Sequence, residues 1–226
     1  MKTLTPLQGL LFDFDGLIVD TETATFAAWQ EIYQEHGLVL DLQTYAEYVG
    51  KSGQEWGPFE ELVRLLGERY RAAIQEKISR WEADLFKMTE AMPGVRTLVN
   101  QAWRRGIKLG IVSSSGQSWI ERHLQRLGLR KFFSSITSAD EVEHAKPDPC
   151  LYHLGLSKLD IPKERVIVFE DSPNGVLAAK RARLYCIAVP NQLTRQFAFH
   201  TNGGCPDKII NSLLDFNLVD YLGKGI

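Results

Sequence analysis

Short, continuously apolar runs recur along the chain, each closed by polar or turn-forming residues. Gly9 to Phe14 is the first; it ends in Asp and Gly and reads as a strand buried on both faces. Lys108 to Val112, Arg165 to Phe169 and Tyr185 to Val189 repeat the pattern, and Ser135 to Thr137 repeats it more weakly. Between them, apolar residues fall at helical spacing over about 95–105, 117–127, 149–157 and 173–182. Strands alternating with helices predict an α/β fold, a Rossmann-like parallel sheet with helices on both faces. Residues 21 to about 91 break the alternation. There Thr23 to His36, Tyr45 to Val49, Pro58 to Leu66 and Glu68 to Trp81 all read as helices, punctuated by Gly37, Gly50, Gly53, Gly57 and Gly67. The expected organisation is an α/β core made of residues 1–20 and 92–226, with an all-helical domain, 21–91, inserted after the first strand. Thr194 to Asp207 is only weakly periodic and predicts no element.

Composition narrows the classes. The chain has 226 residues, about one and a half domains at the usual size. Its 44% hydrophobic and 24% charged content exclude a disordered chain, a collagen-like repeat and a coiled coil. No run approaches the ~20 apolar residues of a membrane span. The net charge of −2 argues against a nucleic-acid partner. The N-terminal apolar run is interrupted by Asp13 and Asp15 and does not read as a signal peptide. Cys150, Cys186 and Cys205 are odd in number and show no metal-ligand spacing, which suggests a reducing cytoplasm. The charge is unevenly divided. Residues 21–91 carry −6 and the remainder +4, which is either ordinary surface variation or the mark of a sheet-bearing part that handles an anion.

The chemistry gathers at predicted strand ends. Asp13-Phe14-Asp15-Gly16 closes the first strand, and the two-residue alternation lets both carboxylates approach one site. Glu170-Asp171 closes a later strand and precedes Ser172-Pro173-Asn174-Gly175. Each pair alone has an ordinary explanation, an Asp-Gly turn or an acidic helix start. Together they are harder to dismiss, because clustered carboxylates repel unless a cation sits among them, and oxygen-rich sites of this kind suit Mg²⁺. Val112-Ser113-Ser114-Ser115-Gly116 opens a helix and offers hydroxyls and free N–H groups to an anion. Lys146, in Lys146-Pro147-Asp148-Pro149, supplies a point charge. The five histidines show no metal-ligand spacing and are given no role.

In that order the motifs resemble the haloacid dehalogenase superfamily. The first signature corresponds to Asp13 through Glu22, the second to Ser113, the third to Lys146-Pro147-Asp148-Pro149 and the fourth to Glu170 through Gly175. The helical block resembles the α-helical cap of the β-phosphoglucomutase-like branch. The resemblance implies a Mg²⁺-dependent phosphohydrolase acting on a small phosphorylated metabolite. Asp13 would be the nucleophile and Asp15 the general acid and base. Mg²⁺ would be held by Asp13, the Asp15 carbonyl and Asp171, with Glu170 orienting a metal-bound water. Ser113, the N–H of Ser114 and Lys146 would hold the phosphoryl group. Dehalogenase members lack an acid at the Asp15 position, so its presence favours phosphoryl chemistry.

The resemblance implies that the mutases of that branch use a histidine in the hinge region after the first motif and an arginine on a cap loop. Those positions fall on Thr25 and near Gly53 in this chain, with Lys51 as the nearest cation, so Thr25 and Lys51 are the cap-side candidates for substrate contact. Both departures favour hydrolysis over a sugar phosphomutase. The cap aromatics Trp29, Tyr33, Tyr45, Tyr48, Trp56, Phe59 and Trp81 are expected mostly to pack its own core. A non-catalytic phospho-acceptor module of the receiver type is the competing class; such modules are near 120 residues and have no helical insertion and no acid like Asp15.

Overall fold

The computed structural model describes residues 6–46, 49, 57–199 and 204–223. The first strand, β1 (Gly9–Phe12), is buried throughout. The helices of the insertion follow it: α1 (Glu22–Glu35), α2 (Leu42–Ala46), α3 (Pro58–Leu66) and α4 (Arg71–Met88). Alternation then begins with α5 (Val95–Arg104), β2 (Lys108–Val112), α6 (Gln117–Arg126) and β3 (Ser135–Thr137). It continues with α7 (Cys150–Leu159), β4 (Val166–Glu170), α8 (Pro173–Arg181), β5 (Tyr185–Ala188) and β6 (Lys208–Ile209). The strands form one parallel sheet in the order β3-β2-β1-β4-β5-β6.

Alternation along the strands builds two apolar layers. Leu10, Phe12, Ile111, Ile167 and Phe169 face the layer closed by α5 and α6. Leu11, Val112, Val166 and Val168 face the layer closed by α7 and α8. The strand order reverses between β1 and β4, and ligands of open α/β sheets bind at the carboxyl ends beside such a reversal. Register sets those ends level: Phe12 is opposite Phe169, and Asp13 N–H donates to the Phe169 carbonyl at 3.0 Å.

The helical insertion has its own buried apolar cluster. Ile32 and Tyr33 of α1 meet Leu40, Tyr45, Val49, Leu62, Val63 and Ile74 there, and Trp29 and Phe59 pack against them. Tyr48 and Trp56 lie outside the described residues. The two connections to the sheet run side by side, with an antiparallel bridge between Val19 and Ala91 and a 2.9 Å bond from Met92 N–H to the Ile18 carbonyl. A ring contact strengthens the joint. Phe86 of α4 lies edge-on to His123 of α6 with centroids 4.8 Å apart, and the Arg122 and Arg126 guanidiniums each sit 5.4 Å from its centroid.

Some elements depart from the pattern-based expectation. The helix expected from Tyr45 starts at Leu42, because the Asp41 carboxylate accepts the Thr44 N–H at 2.9 Å and so caps it. Glu68–Tyr70 form a 3₁₀ turn, and α4 runs past Trp81 to Met88, where Phe86 gains the contact just described. β6 lies outside the expected strands; it joins the sheet edge through backbone bonds to β5, and the Asp207 carboxylate just before it accepts the Cys186 N–H at 2.8 Å.

Candidate active site

Asp13, Glu170 and Asp171 meet at the carboxyl edge of β1 and β4. All three are buried, and one carboxylate oxygen from each lies within 4.8 Å of the others. Lys146 enters from the loop before α7 and is 2% exposed. Its ammonium donates to Asp13 Oδ1 at 2.6 Å, to Glu170 Oε1 at 2.7 Å and to the Val112 carbonyl at 2.8 Å. Those bonds use every N–H it has. Its charge is therefore directed at the acids themselves. Tyr152 of α7 also donates to Glu170 Oε1. Glu170 Oε2 is buried with no hydrogen-bond partner among the described residues.

One lysine is too little for this much negative charge. Burial raises the Asp13 carboxyl, Lys146 works against that rise, and Asp15 adds to it. Burial and the neighbouring Asp13 push Glu170 up to about 7 in spite of Lys146. Asp171 is raised well above the usual carboxylate range by burial, Asp13 and Glu170. Lys146 itself is raised: burial pulls it down, but Asp13 and Glu170 more than offset that. Surplus buried carboxylate, an orphaned oxygen and an all-oxygen donor set fit a hard divalent cation. No other cluster of this type occurs among the described residues.

Asp15 has a different environment. Its Oδ1 accepts from Thr21 Oγ1 at 2.7 Å and from Trp119 Nε1 at 3.0 Å. Its Oδ2 accepts from Ser115 Oγ at 2.6 Å, with Ser113 Oγ at 3.5 Å. The side chain is thus separated from the cluster of three and held as a hydrogen-bond acceptor. The tight turn that allows this passes through Gly16, at φ +81°, where a Cβ would overlap the Asp171 carboxylate and the Asn191 amide. Gly175 does the same for Glu170, whose carboxylate fills the space a side chain would need.

The expected residues are brought together unequally. Asp13, Glu170, Asp171 and Lys146 share one centre; Asp15 adjoins it. Ser113 is buried at the end of β2, where its hydroxyl accepts the Ser115 N–H at 3.0 Å; Ser114 follows it in the same loop. The Asp15 side chain stands apart from the carboxylates grouped as cation ligands. Thr25 lies on the first turn of α1 and donates to the Thr21 carbonyl at 2.7 Å, a helix bond. Lys51 lies outside the described residues.

Sequence reasoning missed Ser115 and Trp119, which hold Asp15, Tyr152 on Glu170, and Asn191 on Asp171. It also missed Glu22, at the start of α1, pushed up to about 8 by burial and by Asp15, Asp13 and Asp20, with the Tyr45 hydroxyl beside it. Trp119 carried a faint signal: it lies one turn into the helix that the serine run opens. Asn191 carried another, an Asn-x-x-Thr turn just past a strand end on the same sheet edge.

Comparison with known proteins bears on family and fold. The family of haloacid dehalogenase-like hydrolases matches residues 10–189. The YhcW protein of Bacillus subtilis (strain 168) is 39% identical over 194 residues, covering 85% of this chain and 88% of its own. The phosphorylated carbohydrates phosphatase of Thermotoga maritima is 32% identical over 179 residues, covering 78% and 82%. Among solved structures, CbbY from Rhodobacter sphaeroides in complex with phosphate superposes with a TM-score of 0.73 at 29% identity, covering 92% of this chain and 96% of that one. A mutant of the same protein was solved with xylulose-(1,5)bisphosphate.

Proposed function

The chain belongs to the family of haloacid dehalogenase-like hydrolases, and on that premise we propose that it is a Mg²⁺-dependent phosphatase of small phosphate monoesters, sugar phosphates foremost. The observation that carries the reading is the buried group of Asp13, Glu170 and Asp171 around Lys146, beside a separately held Asp15. Relatives named for phosphorylated carbohydrates, and one solved with a sugar bisphosphate, support the substrate class.

Asp13 is the nucleophile in this reading. One of its oxygens forms a bond to phosphorus while the ester oxygen departs with its electron pair and takes a proton from Asp15. Water then attacks the aspartyl-phosphate, Asp15 takes its proton, and phosphate leaves. Thr21, Ser115 and Trp119 keep the Asp15 carboxyl in one orientation between the two steps. Lys146 neutralises the nucleophile from behind, so that it can meet an anionic phosphoryl group. Ser113 and the N–H of Ser114 are assigned to the non-transferring phosphoryl oxygens. Asp13 and Asp171, with the Asp15 carbonyl, would hold Mg²⁺, and Glu170 would orient its water. When bound, the cation supplies charge neutralisation for the phosphoryl oxygens. The helical insertion, residues 21–91 against a core of 1–20 and 92–226, acts as the cap that excludes water and selects the ester. Thr25 and Lys51 are its proposed substrate-facing residues. A reducing cytoplasm is the proposed setting.

The test is phosphate release from a panel of sugar and other small monoesters, with Mg²⁺ and with EDTA, for the wild type and Asp13→Asn. Turnover should require Mg²⁺ and vanish in the variant while its circular dichroism is unchanged. No release from any ester, or retained turnover in Asp13→Asn, refutes the reading. Rapid conversion of β-glucose 1-phosphate to glucose 6-phosphate with a trace of the 1,6-bisphosphate would replace it with a mutase.

A further inference from the structure

β5 ends at Ala188, and the chain then turns back across the carboxyl edge of the sheet at Asn191. A polar residue 3% exposed must find partners for every polar atom or lose stability. Asn191 finds them all. Its Oδ1 accepts the N–H groups of Leu193 and Thr194, both at 2.9 Å. Its Nδ2 donates to Asp171 Oδ2 at 2.8 Å and to the Gly16 carbonyl at 3.2 Å. Two lone pairs and two N–H groups are the full capacity of a primary amide. Only one amide orientation satisfies this set. A flip would set oxygen against the carboxylate and carbonyl, and NH₂ against two N–H donors. The backbone is equally committed: Asn191 N–H donates to Thr194 Oγ1 at 3.0 Å, and its carbonyl accepts from Arg195 N–H at 3.1 Å and Nε at 3.0 Å.

What this post holds is the acid of the three to which the Lys146 ammonium makes no bond. Asp171 faces Asp13 and Glu170, and like charges drive its carboxylate away from them. A donor on one oxygen fixes the rotation of the carboxylate, and so the direction in which its other lone pairs point. The same amide grips Gly16, which lies in the turn carrying Asp15, so the exits of β1 and β4 are tied at one point. The post is also anchored from behind. Leu193, two residues on, is buried in the apolar cluster of the helical insertion, with Phe197 packed against it.

We propose that Asn191 is a positioning residue for the cation site, orienting Asp171 through the Nδ2 bond; the proposal rests on the reading of that site given above. Partners of this kind behind a metal ligand are typically worth ~10–100-fold in metal affinity.

The probe is Mg²⁺ alone, titrated into the apo protein by calorimetry, with the Mg²⁺-dependent shift in melting temperature as a second readout. Asn191→Ser is the informative variant, because a serine hydroxyl can still accept the turn N–H groups but is too short to reach Asp171 as well. Its apparent Kd for Mg²⁺ should rise at least ~10-fold. Thr194→Val loosens the same turn without touching the Asp171 bond, and should lower the melting temperature while leaving the Mg²⁺ Kd within about twofold of wild type, well short of that loss. Asn191→Ala stands in if the serine variant does not fold. An unchanged Kd in the Asn191 variant, or equal weakening in the Thr194 variant, overturns the proposal. Wild-type protein that binds no Mg²⁺ refutes instead the cation site on which it rests.

Discussion

Replacing Lys146 by Met tests how the site is held together before any ligand arrives. Met fills similar volume but removes the ammonium that pairs with Asp13 and Glu170. That ammonium makes three bonds of 2.6, 2.7 and 2.8 Å, two of them to carboxylates that are themselves almost wholly buried. Deleting one partner of such a buried arrangement costs about 3–5 kcal/mol, because the charges left behind are uncompensated. At about 2–4 °C per kcal/mol for a chain of this size, the melting temperature in EDTA should fall by roughly 6–20 °C at pH 8. The penalty depends on the acids being ionised. Glu170 titrates at about 7, and Asp13 and Asp171 are also raised. At pH 5 Glu170 carries its proton, the raised Asp13 and Asp171 carboxyls are nearer to theirs than at pH 8, and with less repulsion to offset the penalty should be smaller than at pH 8. Urea unfolding of wild type and variant at both pH values measures it. A loss under about 1 kcal/mol at pH 8, far below what a broken buried pair costs, or an equal loss at pH 5, refutes the account of Lys146 as the counter-charge of the cluster.

Other outcomes follow from the same geometry. The metal-free wild type should lose stability as pH rises, because Glu170 (from 4.5 to about 7) and Glu22 (from 4.5 to about 8) hold protons more tightly folded than unfolded. The loss spans that window, and Mg²⁺ should restore more stability at pH 8 than at pH 5; a melting temperature flat between pH 5 and 8 contradicts this. Trp119→Phe keeps the ring and deletes the N–H on Asp15, and should lower kcat about 10-fold, the worth of a hydrogen bond to a charged group, with little change in KM. An unchanged kcat would show that Thr21 and Ser115 suffice. Gly16→Ala adds a Cβ where Asp171 and Asn191 already sit, at a left-handed φ, and should cost more than ~2 kcal/mol in urea unfolding. Wild-type stability there would mean the turn has another conformation available.

Much of the molecule was legible because its signals are local. A strand buried on both faces must be a continuous apolar run, so β1, β2, β4 and β5 announce themselves. An acid at the exit of such a strand announces the site, and Asp13 and Glu170-Asp171 were found that way. β6 gave no such sign: Lys208 and Ile209 are exposed, and the strand exists through bonds such as Asp207 N–H to the Cys186 carbonyl. The surroundings of Asp15 were equally hidden. Ser115 and Trp119 reach it from about a hundred positions away, and no periodicity encodes which side chain of a distant helix points at a given carboxylate. Asn191 shows the middle case, a local turn that is readable with a distant partner, Asp171, that is not.

Leu193 bears on how this architecture can be rebuilt. The insertion looks like a detachable cassette, entering at Val19 and leaving at Ala91. Its apolar cluster nevertheless borrows Leu193 from a segment a hundred residues downstream, and Asn174 Nδ2 reaches its Val49 carbonyl at 2.7 Å. A chimera that moves the cassette alone would part its cluster from Leu193, which stays behind with the turn that carries Asn191. The unit of exchange has two pieces, and the shorter one carries Asn191 with it. Exchange of the insertion is therefore constrained by a residue outside the exchanged part.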